Sequence, residues 1–230
     1  MLQPIQPGYY GASNYYKPGV TTIDQRQELY EYLLVANPDH IVGRLVIAEK
    51  QSVQEKYQQQ SALQNHGQMG DKVGLPHITV AKYMAKEGME ETIERWVQRI
   101  CNLQKSFKVI LNNFGGYPPH TLYIRVQNPQ PFHSLVSQLK VIDSYVTGNS
   151  GHPVQFASKP HLPLAKKLPD DLYNKALFDY ASRDFHESFV VNELVLLKRK
   201  NNGDAFQTVG IFRLLPEVDD TVYTTQLNAF

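Results

Sequence analysis

Pro76-His77-Ile78-Thr79-Val80-Ala81-Lys82 and Pro160-His161-Leu162-Pro163-Leu164-Ala165-Lys166 are two versions of one heptad. Four of the seven positions are identical, two exchange one aliphatic for another, and one differs in kind, Thr79 against Pro163. The histidines stand 84 residues apart, about half of the patterned chain. In both heptads aliphatic residues alternate with other types, which is the period of a half-buried strand. Such a strand turns His77, Thr79 and Ala81 to one side and Ile78 and Val80 to the other; His161 lies likewise opposite Leu162 and Leu164. Each half of the chain is therefore expected to bury its aliphatics on one sheet face and present a histidine on the other.

The surroundings repeat in the same way. Leu29–Ala36 is an apolar strand candidate, and Asn37-Pro38 reads as an N-cap with proline in the first helical position. Ile41, Leu45, Val53 and Tyr57 then give one helical face, and Gln64–Gly74 reads as a loop punctuated by glycine. A strand over Pro76–Tyr83 and a helix over Met89–Leu103 follow, with Trp96 on the apolar side and Cys101 as a small buried residue. Strands Phe107–Asn112 and Thr121–Gln127 are joined by a loop containing Gly115-Gly116-Tyr117-Pro118-Pro119. The second half brings a helix over Phe132–Ile142, a loop over Gly148–Ser158, the strand Pro160–Lys166 and a helix over Leu172–Tyr180. A hairpin of Phe189–Lys198 and Phe206–Leu215 closes the pattern, turning at Asn202-Gly203. Adjacent strand pairs without an intervening helix imply mainly antiparallel pairing, so the fold class is α+β rather than doubly wound. Residues 1–22 read as a Tyr-, Pro- and Gly-rich tail, and residues 23–230 as a single two-lobed domain.

Composition narrows the function classes. With 42% hydrophobic residues in 230 the chain can bury a real core. No apolar run approaches the roughly 20 residues of a membrane helix, and Met1–Val20, with one cation and no apolar stretch, does not read as a secretory signal. The lone cysteine, Cys101, leaves no internal disulfide and no cysteine-cluster zinc site. A soluble, cytoplasmic protein is expected. Its net charge of +1 offers no global field for long nucleic acid, and no DNA partner is expected.

Two motif strands related by a pseudo-twofold axis bring their histidines together across a cleft. Two imidazoles facing one phosphate form an acid–base pair: one takes a proton from the attacking hydroxyl or water, the other returns one to the leaving oxygen. Imidazole suits both roles because its ordinary pKa, about 6.5, is close to working pH. The Thr79 hydroxyl, two residues on and on the same face, can donate to a non-bridging phosphate oxygen. Lys82 and Lys166 can lend positive charge at the rim. The scheme requires no metal and no cofactor.

These residues resemble the two-histidine (2H) phosphoesterase superfamily, whose signature is a pair of His-x-Thr/Ser-x motifs separated by roughly half the chain. The likeness is strongest to the bacterial branch of 2′-5′ RNA ligases and RNA 2′,3′-cyclic phosphodiesterases, and it runs from about Glu28 to Leu215, including Glu193-Leu194 and the Gly203 turn. It implies two pseudo-symmetric lobes of mainly antiparallel sheet flanked by helices around a central cleft. It also implies metal-independent action on a 2′,3′-cyclic phosphate or 2′-5′ phosphodiester of a nucleotide or RNA end; a monomer is expected. Carried over by position, His77 and His161 would be the acid–base pair and Thr79 a phosphate-gripping hydroxyl. Pro163 departs from the pattern, having neither hydroxyl nor amide donor; loss of one oxyanion-type donor costs about 10²–10³ in rate.

Further candidates surround the motifs. Tyr83, Tyr123 and Phe156 are weighed as base-stacking aromatics against places in the core, and Arg125 as a strand residue that reaches the cleft. Lys198-Arg199-Lys200 reads as a solvated hairpin tip. The competing function is a nucleotide- or RNA-end-binding module without turnover, which Pro163 favours; a weaker third is partner binding through the tyrosine-rich tail.

Overall fold

A computed structural model describes residues 28–58, 74–117 and 120–217. The tail 1–22, most of the Gln64–Gly74 loop and Pro118-Pro119 lie outside the described residues. In chain order the elements are β1 (Leu29–Ala36), α1 (His40–Val53, continued by a π-helical turn over Gln54–Gln58), β2 (Ile78–Lys86), α2 (Glu90–Cys101), β3 (Phe107–Tyr117) and β4 (Thr121–Val126). They continue with α3 (Gln130–Leu139), α4 (Val141–Ser150), β5 (Gln155–Phe156), β6 (His161–Ala165), α5 (Asp170–Ala181), β7 (His186–Val191), β8 (Glu193–Arg199) and β9 (Gln207–Arg213).

The strands form two sheets, β5-β2-β1-β8-β9 and β6-β4-β3-β7, paired antiparallel throughout. The fold class is α+β, as the order of elements implies. Each motif strand is followed across its sheet by three antiparallel neighbours, β2-β1-β8-β9 in one lobe and β6-β4-β3-β7 in the other. The lobes are nevertheless not the two halves of the chain. The β3–β4 hairpin joins β6 and β7, and the final hairpin returns to β1. The expected strand Phe189–Lys198 is accordingly two strands in different sheets, parted at Asn192, whose carbonyl accepts from the Leu214 amide at 2.8 Å.

Local chemistry sets the details that position the site. The cap of α1 is Asp39, two residues later than Asn37: its Oδ1 accepts from the Ile41 and Val42 amides at 2.9 Å each. The buried face of α1 is Val42, Val46 and Val53, whereas Ile41 and Leu45 are exposed. Residues repeating every four positions drift around a helix of 3.6 residues per turn, which misplaces such a stripe. The predicted helix Phe132–Ile142 is two, α3 and α4, the second reaching Ser150 and ending at Gly151 with φ 72°.

Strand β2 carries a bulge: Val35 pairs with Thr79 and Leu34 with Ala81, leaving Val80 as the extra residue. The bulge breaks strict alternation. Ala81 turns into the core, and Lys82 and Met84 take the face that Ala81 was expected to share with His77 and Thr79. Helices α3 and α4 pack against β2, α2 against β8 and β9, α1 against β6 and β7, and α5 against β3 and β4. Leu162 and Ile124, paired across β6 and β4 and fully buried, hold the second motif strand in register. Truncating a side chain so placed costs about 2–5 kcal/mol.

Candidate active site

The two motifs hold their imidazoles alike. His77 immediately precedes β2, and its Nδ1 lies 3.0 Å from the Leu75 carbonyl oxygen. His161 opens β6, with Nδ1 2.8 Å from the carbonyl oxygen of Lys159. A carbonyl only accepts, so Nδ1 carries the proton in both rings and Nε2 is the unprotonated nitrogen. In each motif a buried proline, Pro76 or Pro160, stands between the carbonyl and the histidine. Proline fixes its own φ and biases the preceding residue towards an extended backbone, which defines where that carbonyl sits.

Strands β2 and β6 approach one another between the sheets, and α1 also reaches β6. The electrostatics reflect this convergence. Burial pushes the His77 imidazole down to about 4, and the charges of Lys50 and Lys166 press in the same direction. Burial also lowers His161, again with Lys166 contributing. Lys50 is lowered to about 8, by burial first and then by Lys166. Lys166 is thus the common neighbour of both histidines and Lys50. The site is cationic and has two imidazoles that are neutral at neutral pH.

Lys50 was not legible in the sequence. It sits in the last turn of α1, half-buried, and its Nζ donates to the Gly74 carbonyl at 2.9 Å, just ahead of the first motif. A lysine near a helix end satisfies carbonyls in most proteins, so the residue type gave no warning. Tyr117 is hidden in the sequence for a different reason: Gly115-Gly116-Tyr117 has the composition of a loop, but β3 runs through all three. A Cβ on Gly115 would lie 3.1 Å from the Tyr123 ring, and one on Gly116 would lie 2.5 Å from the Tyr173 hydroxyl. The glycines therefore make room for aromatic rings on both faces of the strand.

Around His161 this produces an aromatic surround. The Tyr117 hydroxyl is 3.0 Å from His161 Nε2. The Tyr117 and Tyr123 rings lie 5.2 and 5.0 Å from the imidazole, and 5.2 Å from each other. Pro163 faces the same side as His161 and pairs with Tyr123. Arg125 pairs with His161 in register; it is exposed, and its Nε donates to the Asn112 carbonyl at 3.2 Å. Thr79 is half-buried on the face of His77.

Tyr83 does not take the place expected of a base-stacking ring. It is fully buried on the helix-covered side of β2, among core residues, and has no surface to offer a base. The bulge at Val80 sets this orientation. Lys82 does lie on the His77 side, but its ammonium is 2.6 Å from Glu31, a carboxylate that Arg199 also binds. Arg199 is therefore tied into the sheet surface rather than solvated at a hairpin tip. Phe156, in β5, packs partly against the core. Cys101 is buried and its thiol is pushed up to about 12 by that burial. Among the described residues there is no group of three or more His, Cys, Asp or Glu placed to hold a metal ion, and no helix long and apolar enough to cross a membrane.

Comparison with known proteins agrees with this architecture. The family model described as the 2′-5′ RNA ligase superfamily matches residues 47–203, about two thirds of the chain. No curated protein matches the sequence. A solved phosphoesterase structure superposes with a TM-score of 0.56 at 13% identity, covering 82% of this chain and 99% of that one. The protein TT0787 of Thermus thermophilus gives 0.56 at 16% identity, with 81% and 99% covered. E. coli LigT complexed with 3′-AMP gives 0.52 at 13% identity, with 81% and 98% covered. At such identities the superpositions establish a shared fold, while the sequence match spans both histidine motifs and establishes kinship. The chain belongs to the 2′-5′ RNA ligase superfamily.

Proposed function

We propose that this protein is a metal-independent phosphodiesterase that opens a 2′,3′-cyclic phosphate, or cleaves a 2′-5′ phosphodiester, at the end of a nucleotide or RNA. The observation that carries the reading is the matched tautomer of the two motif histidines, each with Nδ1–H on the carbonyl two residues upstream and an unprotonated Nε2, which in His161 accepts from the Tyr117 hydroxyl. The shared electrostatic influence of Lys166 supports a single anionic ligand between them.

His77, neutral down to about pH 4, is the base. It takes a proton from water as the water oxygen bonds to phosphorus. His161 becomes protonated as the phosphate's negative charge enters the site, and gives its proton to the departing ribose oxygen as that P–O bond breaks. The two imidazoles supply both proton transfers, so the reaction as written calls for no metal. In this reading Lys50, Lys166 and Thr79 hold the non-bridging oxygens, and the nearness of Tyr123 and Arg125 to His161 supports base and phosphate contacts there. That E. coli LigT was crystallised with 3′-AMP, with NADP+ and with ATP supports a nucleotide ligand. A monomer in the cytoplasm is the setting the reading assumes.

Single variants test it. His77→Ala and His161→Ala should each lower turnover of 2′,3′-cyclic AMP by at least about 10²-fold while changing nucleotide affinity only a few-fold. Equal loss of affinity and turnover would instead mean that the histidines hold the ligand. Pro163 favours a second reading, a protein that binds nucleotide ends without cutting them; in that case wild type binds 3′-AMP and turns nothing over.

A further inference from the structure

Resting on that reading of the site, we infer that Tyr117 supplies the phosphate-gripping hydroxyl that the second motif lacks. The first motif has its hydroxyl at Thr79, two residues after His77 and on the same face. The second has Pro163 in the matching place, on the same face as His161 but with nothing to donate. The deficit lies within one side chain's reach of Tyr117. From the neighbouring part of the sheet its hydroxyl donates to His161 Nε2 at 3.0 Å, so the phenol O–H lies beside the place that a phosphate oxygen takes when it binds against that nitrogen. A phosphoryl group set against Nε2 meets the Tyr117 hydroxyl at an adjacent oxygen, where it replaces the imidazole as the phenol's acceptor.

The placement is built rather than incidental. β3 must extend to Tyr117 for the ring to lie on the face of His161, and Gly115 allows Tyr123 to lean over the strand beside it. Tyr123, paired with both Gly115 and Pro163, fixes the flank of the phenol with a ring contact at 5.2 Å. Proline at position 163 leaves the space in front of β6 to these two rings. Its position on the edge strand of its sheet is one of the few places where a missing amide is tolerated.

The experiment uses the full chain and compares wild type, Tyr117→Phe, Pro163→Thr and the double variant. It measures turnover of 2′,3′-cyclic AMP and, separately, calorimetric affinity for 3′-AMP. Tyr117→Phe keeps the ring and its contacts; it should lower kcat about 10²-fold with KM within about threefold, and weaken 3′-AMP binding about fivefold. Adding Pro163→Thr to Tyr117→Phe should recover at least about tenfold of kcat and most of the affinity, whereas Pro163→Thr alone should change little. A merely structural tyrosine would not be rescued by a hydroxyl at position 163. Tyr117→Phe within about threefold of wild type on both measures, or no rescue in the double variant, overturns the inference. If wild type turns over no cyclic substrate, the proposed activity fails, and the 3′-AMP affinities of the four proteins still decide the role of Tyr117. No 3′-AMP binding by wild type overturns both.

Discussion

His77 and His161 stand in the same relation to their own backbones, Nδ1 against the carbonyl of Leu75 at 3.0 Å and of Lys159 at 2.8 Å. Two strands from different sheets have thus fixed two imidazoles in one tautomer by one local device, a buried proline between acceptor and histidine. The consequence is chemical: each ring offers Nε2, and each is held near neutrality by burial. In the proposed mechanism a phosphate that enters raises one of them and so makes an acid–base pair.

That electrostatic state predicts a pH profile. The base His77 must be neutral, so kcat/KM falls below about pH 4; the acid His161 must carry a proton, and its value is lowered from 6.5, so kcat/KM also falls above a limb lying below 6.5. The free protein therefore gives an acidic bell. The profile of kcat shifts upward, because bound phosphate stabilises the imidazolium. Initial rates from pH 3.5 to 9 check this, and a kcat/KM plateau persisting beyond pH 8 would contradict it.

His77 also couples stability to acid. Its folded-state value, about 4, lies below the ordinary 6.5, so the unfolded chain binds a proton over that interval that the folded protein refuses. Stability is unaffected above the ordinary value and declines as pH falls from 6.5 towards 4. The contribution reaches up to about 3 kcal/mol, less in proportion to the water that touches the ring. Urea melts at pH 7 and 4.5 should show a smaller difference for His77→Asn than for wild type.

Lys50 predicts an alkaline limb in binding. With its ammonium lowered to about 8, affinity for 3′-AMP should weaken as pH rises through that value. Lys50→Met should abolish the limb and weaken binding at pH 7 about 10- to 100-fold, the range of a charge-assisted hydrogen bond. Calorimetry at pH 6.5 and 9 separates the two proteins. An affinity in Lys50→Met equal to that of wild type removes Lys50 from the site.

Tyr83 gives a control of opposite sign. Its hydroxyl is buried and, among the described residues, has no hydrogen-bond partner. Tyr83→Phe should raise stability by about 1 kcal/mol, since the unmet desolvation of the hydroxyl disappears, and should leave turnover unchanged. A loss of activity without a loss of stability would return Tyr83 to the site.

The repeated heptad made much of the architecture legible, because period-two patterning and flanking turn residues report local structure directly. Antiparallel pairing, both motif strands, the buried Cys101 and the helix around Trp96 all follow from such local signals. What escaped was set at longer range. In residues 189–198 the polar pair Asn192-Glu193 interrupts the apolar run at the passage from one sheet to the other, but one polar pair between two apolar stretches reads equally well as part of a single strand. The bulge at Val80 inverted Ala81, Lys82 and Tyr83 together, because one extra residue flips every later side chain. Lys50 and Tyr117 reach the histidines from other elements, and only the packing of α1 and the length of β3 reveal them.

Two-histidine, metal-free catalysis is tested most directly by incubating wild type with 2′,3′-cyclic nucleotides and 2′-5′ dinucleotides in EDTA, beside the His77→Ala/His161→Ala double variant. Wild type should open a cyclic nucleotide to its monophosphate, or split a 2′-5′ dinucleotide into a nucleoside and a nucleoside monophosphate, with EDTA present, and the double variant should convert none. Equal turnover by the two proteins, or turnover that EDTA abolishes, would contradict the two-histidine mechanism.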